Sequence, residues 1–241
     1  MRTWVLAFAA GVAFAAHAAE DPTVPTYTAT YRAEYKGREA GTAEFAVHYL
    51  ADRDVYEFSS RVLAKGLLKL ARPNPAVERS HFRVTPEGIR PLEFWYEDGS
   101  RSGEDNFHIV FDWDRRIATV SSAAGRREVA LAGAVLDRGS LQVALMRDLA
   151  ASGTPRTYRL ADEDSVADYE YTDNGTAELK TGVGTLATQI LTQQRTGSSR
   201  TTWLWVAPSL RFLPVRIEQR RDGEVQTAFV LTNVEGLAPS P

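Results

Sequence analysis

From Tyr27 the chain alternates apolar and polar residues with a period of two. Tyr27, Ala29, Tyr31, Ala33 and Tyr35 share one face, with Thr28, Thr30, Arg32 and Glu34 opposite. Successive side chains of a strand point to opposite sides, so this run predicts a half-buried strand. "KGRE" then supplies a hairpin turn, and Ala43, Phe45, Val47 and Tyr49 resume the pattern. It continues through Tyr56, Phe58 and Val62, through Phe82 and Val84, and through Leu92, Phe94 and Tyr96. The breaks fall at "TPEG" and "EDGSRSG", which are rich in turn formers.

In "FHIVFDWDRRIATV", Phe107, Ile109, Phe111 and Trp113 hold the apolar phase. Asp112 falls on the other face, and Asp114 lies where the pattern stops. The stretch reads as a strand end with its hairpin. Paired carboxylates can hold a divalent cation, but an unaccompanied Asp-x-Asp is a weak motif, and no metal site is assigned to it.

The period changes once. "DRGSLQVALMRDLAASG" places Leu141, Ala144, Leu145, Asp148 and Leu149 at helical spacing, with Asp137 or Ser140 as N-cap and Gly153 as terminator. With two turns of apolar face, this helix should plug or prop a sheet. Strands then resume at Tyr158 and Leu160 and at Tyr169 and Tyr171, and "DNG" at 173–175 predicts a tight hairpin turn. Further strands follow to Val234. No fixed repeat and no Pro/Gly-rich linker divides the chain, which predicts one domain over 27–235, a flexible segment at 19–26 and a flexible tail at 236–241.

The opening "MRTWVLAFAAGVAFAAHAAE" has a cation at Arg2, an apolar stretch from Trp4 to Ala16 and a small-x-small tripeptide ending at Ala18. These are the parts of a secretory signal peptide at 1–18, cleaved after Ala18, and the stretch is too short to span a bilayer. No later segment is a transmembrane candidate. The chain has no cysteine, which excludes disulfides, thiolate catalysis and acylation at a processed N-terminal Cys. Export without disulfides suits a bacterial periplasm. A formal charge of -3, or -4 once Arg2 leaves with the leader, argues against nucleic acid and against a broad electrostatic hold on anionic lipid.

"IVFDWDRRIATV", the helix "VLDRGSLQVALMRDL" and "TTWLWVAPSLRFLPVRIEQ" at 201–219 resemble the exported bacterial proteins of domain-of-unknown-function family 3108. The likeness covers nearly the whole processed chain, and its motifs are structural. It implies an all-β fold with one inserted helix, a strongly curved antiparallel sheet forming a spiral roll or open half-barrel. The family brings no catalytic residues to carry over.

Candidate chemistry is sparse. His48, His81 and His108 each fall on the polar phase of a strand and read as lone surface histidines. There is no Gly-x-Ser-x-Gly elbow. The acids of "LADEDSVADYEY" lack the Gly-centred loop of a calcium site. No cofactor or metal is expected.

The ligand-binding candidates are apolar. Trp203 and Trp205 alternate with Leu204 and Val206, and either cap the sheet as core or line a groove, with Trp113 as a further aromatic candidate. "LAKGLLKLARPNPA" at 63–76 sets Leu67, Leu68 and Leu70 among Lys65, Lys69 and Arg72. This flap either packs its leucines across the mouth of the roll or dips them toward a lipid ligand or membrane surface. The leading reading is an exported periplasmic binding or accessory module whose concave aromatic face takes an apolar ligand or lipid. The alternative is an assembly protein of the cell envelope acting through protein contacts, and a hydrolase comes third.

Overall fold

A computed structural model describes residues 21–237. The signal peptide read at 1–18 lies outside the described residues. Fourteen strands form one antiparallel sheet that does not close on itself. In chain order the first eight are β1 (Tyr27–Tyr35), β2 (Arg38–Leu50), β3 (Val55–Ala64), β4 (Ala76–Thr85), β5 (Gly88–Glu97), β6 (Phe107–Asp112), β7 (Ile117–Ser122) and β8 (Gly125–Ala130). After a helix come β9 (Tyr158–Ala161), β10 (Val166–Thr181), β11 (Gly184–Arg195), β12 (Arg200–Ala207), β13 (Leu213–Arg221) and β14 (Glu224–Glu235). Each strand lies beside its chain neighbour, except that β1 pairs with β14 at mid-sheet, leaving β8 and β9 at the two edges.

A one-turn helix, α1 (Leu68–Ala71), sits between β3 and β4, and α2 (Arg138–Ser152) sits between β8 and β9. The sheet curls around α2, which touches β3, β4 and β5 on one side and β9 on the other. Asp137 caps α2 by accepting from the Ser140 N–H at 2.8 Å, while the Asp137 N–H donates to Ser140 Oγ at 2.9 Å. Gly153 ends the helix in the left-handed conformation, at φ 70°. Leu136 bonds β9 on both sides of Leu160, with its N–H on Arg159 O at 2.9 Å and its carbonyl on the Ala161 N–H at 2.8 Å. That short parallel bridge covers an edge that would otherwise be open.

The alternation from Tyr27 to Ala33 is inward, as its period predicts, and the bulge after Ala33 turns Tyr35 out to solvent. Two apolar clusters result. The larger fills the hollow between α2 and the strands from β1 to β4 and β11 to β14; the smaller joins β5, β6 and β7 to Leu131 and Val135. The segments read as flexible are partly packed. Val24 is 3% and Leu237 6% exposed, both within the larger cluster. Apolar side chains at the strand ends outweighed the loop-like composition around them.

"DNG" does not turn the chain. Asp173 to Thr176 forms a bulge within β10, and the hairpin comes at Gly182 and Val183. A glycine at positive φ, here 88° at Gly175, serves a bulge as well as a tight turn. Beyond the bulge, β10 and β11 run on as a two-stranded arm past the end of β12. Its tip returns to the sheet, where the Gly182 N–H donates to Leu231 O at 2.9 Å.

Candidate functional site

The hollow of the roll keeps an open cleft of about 630 Å³, within the range of small-molecule sites. Two cross-strand rows run along one side of it, with Leu204, Ile217 and Phe229 of the first and Tyr171, Gln193, Thr202 and Gln219 of the second lining the cleft. Leu191, Leu204, Ile217 and Phe229 sit opposite one another on successive strands and form an apolar row. Two residues nearer the β11–β12 turn, Tyr171, Gln193, Thr202, Gln219 and Thr227 form a polar row in the same register. Gln193 Nε2 donates to the Tyr171 hydroxyl at 2.8 Å, and Thr227 Oγ1 donates to Gln219 Oε1 at 3.0 Å. Burial raises the Tyr171 phenol well above its ordinary pKa, so it stays protonated.

Residues of β2, β3 and α2 also line the cleft, with Phe45, Phe58, Ser60, Val62, Leu141 and Leu145. Arg138, at the start of α2, closes the side. Its Nη1 donates to Glu78 at 3.1 Å and its Nη2 to Asp162 at 2.8 Å, and its guanidinium lies 5.2 Å from the Tyr96 ring centre. Burial alone would pull its pKa down, but the Glu78 and Asp162 carboxylates outweigh that and hold it above the ordinary value. The cation is thereby committed, and its role is to clamp β4 to the β9–β10 loop.

The hydroxyls lining the cleft have no histidine beside them. His48, Glu57 and His81 stand opposite one another on β2, β3 and β4, on the face turned away from the cleft. His81 Nε2 meets Glu57 Oε2 at 2.9 Å, so this residue is buried and partnered rather than a lone surface histidine. His108 stacks flat on Trp95 at 5.0 Å between ring centres. What the cleft offers chemically is an apolar depth beneath amides and hydroxyls, with the charged Glu78, Arg138 and Arg200 also in its lining.

The aromatic candidates lie elsewhere. Leu204 and Val206 point inward, so strand alternation sends Trp203 and Trp205 to the outer face of β12. There the Arg220 guanidinium lies 4.3 Å from the Trp203 ring centre, and Arg216 lies 5.7 Å from that of Trp205. Both arginines bond the buried Glu218 from either side. Trp113 is likewise remote. It stacks on Phe111 beside the smaller cluster and donates its Nε1–H to Pro91 O at 2.6 Å. The Arg115 N–H donates to Asp112 Oδ1 at 2.9 Å, which is the turn geometry expected at this strand end.

Leu67, Leu68 and Leu70 do not cover the mouth. They are 85%, 37% and 69% exposed. Sequence reasoning missed the polar row entirely. Its signal was present: Gln193, Thr202 and Gln219 each occupy an inward phase two residues from an apolar one.

An open antiparallel roll with a helix in its hollow is thus the class to which this protein belongs. The model of the family described as "Protein of unknown function (DUF3108)" matches residues 26–229, and the chain belongs to that family. No curated protein matches the chain. Among solved structures it is similar to a β-barrel-like protein of domain of unknown function DUF1849 from Brucella abortus, at 10% identity and a TM-score of 0.49, covering 88% of this chain and 98% of that one. It is also similar to a chain of the MucA/MucB complex of Pseudomonas aeruginosa, at 13% identity and a TM-score of 0.36, covering 89% of this chain and 53% of that one. No helix among the described residues is long and apolar enough to cross a membrane.

Proposed function

We propose that this protein is an exported periplasmic binding module whose cleft takes the apolar part of an amphiphile, such as a lipid chain. The observation that carries the reading is the two-row wall, with Leu204, Ile217 and Phe229 beneath Gln193, Thr202 and Gln219. An apolar chain would desolvate the lower row, and a polar head would meet the amides and hydroxyls of the upper one. Export is supported by the secretory pattern of the first residues. A second reading, an assembly protein of the envelope, is favoured by the outer edge of β8, which pairs only with β7 among the described residues and could add a strand from a partner.

The test is uptake of an environment-sensitive fluorescent fatty acid by the wild type and by Thr202→Trp, which fills the cleft from its rim. Saturable uptake that is lost in the variant, with melting preserved, is the expected result. A wild type that never takes up the probe would leave the assembly reading in front.

A further inference from the structure

The most exposed large apolar residues among the described ones, Leu67 and Leu70, stand together, and the fold holds them out. Leu67, the N-cap of α1, and Leu70 within it lie three apart, joined by the Leu70 N–H on Leu67 O at 3.1 Å, so both project from one side. Leu68 is 37% exposed in the same turn, and Leu63, near the end of β3, is 44% exposed. Both feet of the flap are fixed. At one foot the Lys65 N–H donates to Ala40 O at 2.7 Å, and Lys65 Nζ pairs with Glu39 at 2.7 Å. At the other foot Arg72 pairs with the buried Asp98, and the Asn74 N–H donates to Gly99 O at 3.1 Å. Gly99 sits so close that a Cβ there would lie 2.5 Å from Asn74 O. The leucines are therefore presented by a braced element, not left over from a loose one.

Cations surround them. Lys69 lies within the turn, Arg38 two residues before the strand segment that holds Lys65, and Arg101 next to the segment that holds Asn74. All three are exposed and have no carboxylate partner among the described residues. The acids Glu104, Asp105, Glu163 and Asp164 belong to the β5–β6 and β9–β10 connections. The cleft opens at the same end, since Val62 and Ala76, which flank the flap, and Arg200, the first residue of β12, all line it.

We propose that the β3–β4 flap is a membrane-docking element, which seats Leu67, Leu68 and Leu70 in the surface of an anionic phospholipid bilayer. An apolar tip ringed by cations on long stems matches acyl chains beneath headgroup phosphates. One turn of leucines gives reversible, peripheral attachment, and it points the mouth of the cleft at the bilayer. The inference goes beyond the cleft reading and does not depend on it.

Vesicle co-sedimentation tests it on the processed chain, residues 19–241, which retains every described element. The wild type should bind vesicles of phosphatidylethanolamine and phosphatidylglycerol more tightly than vesicles of phosphatidylcholine, and added salt should weaken the difference. Leu67→Ser with Leu70→Ser should cut partitioning by about tenfold per leucine, with unchanged melting because neither side chain is buried. Lys69→Glu should cost roughly tenfold on the anionic vesicles alone. Thr202→Trp should bind vesicles like the wild type, so that loss of probe uptake with retained vesicle binding separates the two proposals. The docking proposal is overturned by a wild type that ignores both kinds of vesicle, by binding indifferent to the leucines, or by leucine-dependent self-association without lipid.

Discussion

Ser80 Oγ donates to Asp137 Oδ2 at 2.8 Å, and this bond ties β4 to the first turn of α2. Both residues are fully buried, so the helix cap is also the joint between the helix and the sheet that surrounds it.

That burial makes the joint sensitive to pH. Loss of solvation pushes the Asp137 carboxyl up to about 7, against the Ser140 and Ser80 hydrogen bonds that favour its ionised form, from an ordinary value of 3.8. Between those values the folded protein keeps a proton that the unfolded chain has released. Stability should therefore fall as pH rises through that window, by as much as about 4 kcal/mol, and level off above it. Asp137→Asn retains an acceptor for the Ser140 N–H and should flatten the slope. Urea unfolding across the window decides the matter; the same slope in both proteins would assign it to another group.

Gly139 is fixed by the same joint. A Cβ there would lie 2.5 Å from Phe58 Cδ1 and 2.8 Å from Ser80 Cβ. Alanine normally gains about 1 kcal/mol over glycine inside a helix, but overpacking of this kind costs about 1–3 kcal/mol. Gly139→Ala should accordingly lower the melting temperature. A raised one would mean that α2 shifts freely within the roll.

The arm should respond locally. A Cβ at Gly182 would lie 2.5 Å from Thr232 O, so Gly182→Ala should detach the tip from β14. Hydrogen exchange is expected to quicken over residues 176–188 while amides of β2 and β3 keep their protection. Uniform loss of protection would show that the arm is part of the cooperative core.

Replacing Trp203 and Trp205 together with alanine should cost roughly 1–3 kcal/mol of stability, through lost contact with Arg216, Arg220 and neighbouring apolar groups. Uptake of the fluorescent fatty acid should survive, since both rings face away from the cleft. Abolished uptake in a protein that still melts cooperatively would return the site to the outer face.

The strands and α2 were legible because their signals are local: a period of two at Tyr27 to Ala33, and caps at Asp137 and Gly153. The alternation of Trp203 and Trp205 with Leu204 and Val206 was equally plain, but which phase faces the hollow depends on pairing across β11 and β13. The DNG stretch misled because Gly175 meets the backbone demand of a turn and of a bulge alike. The polar row was lost for a different reason. Gln193, Thr202 and Gln219 lie on three strands, and only the register brings them side by side. The flap was legible in composition and not in direction, since nothing local tells a leucine whether the strands beneath it will carry it inward or out.

Thr232 Oγ1 reaches Thr30 O at 2.9 Å across 202 positions of chain, in the seam where β1 meets β14. The first strand thus waits for the last. While the C-terminal residues are still being made, β1 has one neighbour, and the seam that joins the two halves of the meander strand to strand is missing. Long-range pairing of this kind is slow as well as late. A chain built this way keeps its first strand half-paired for as long as its final strand is held back.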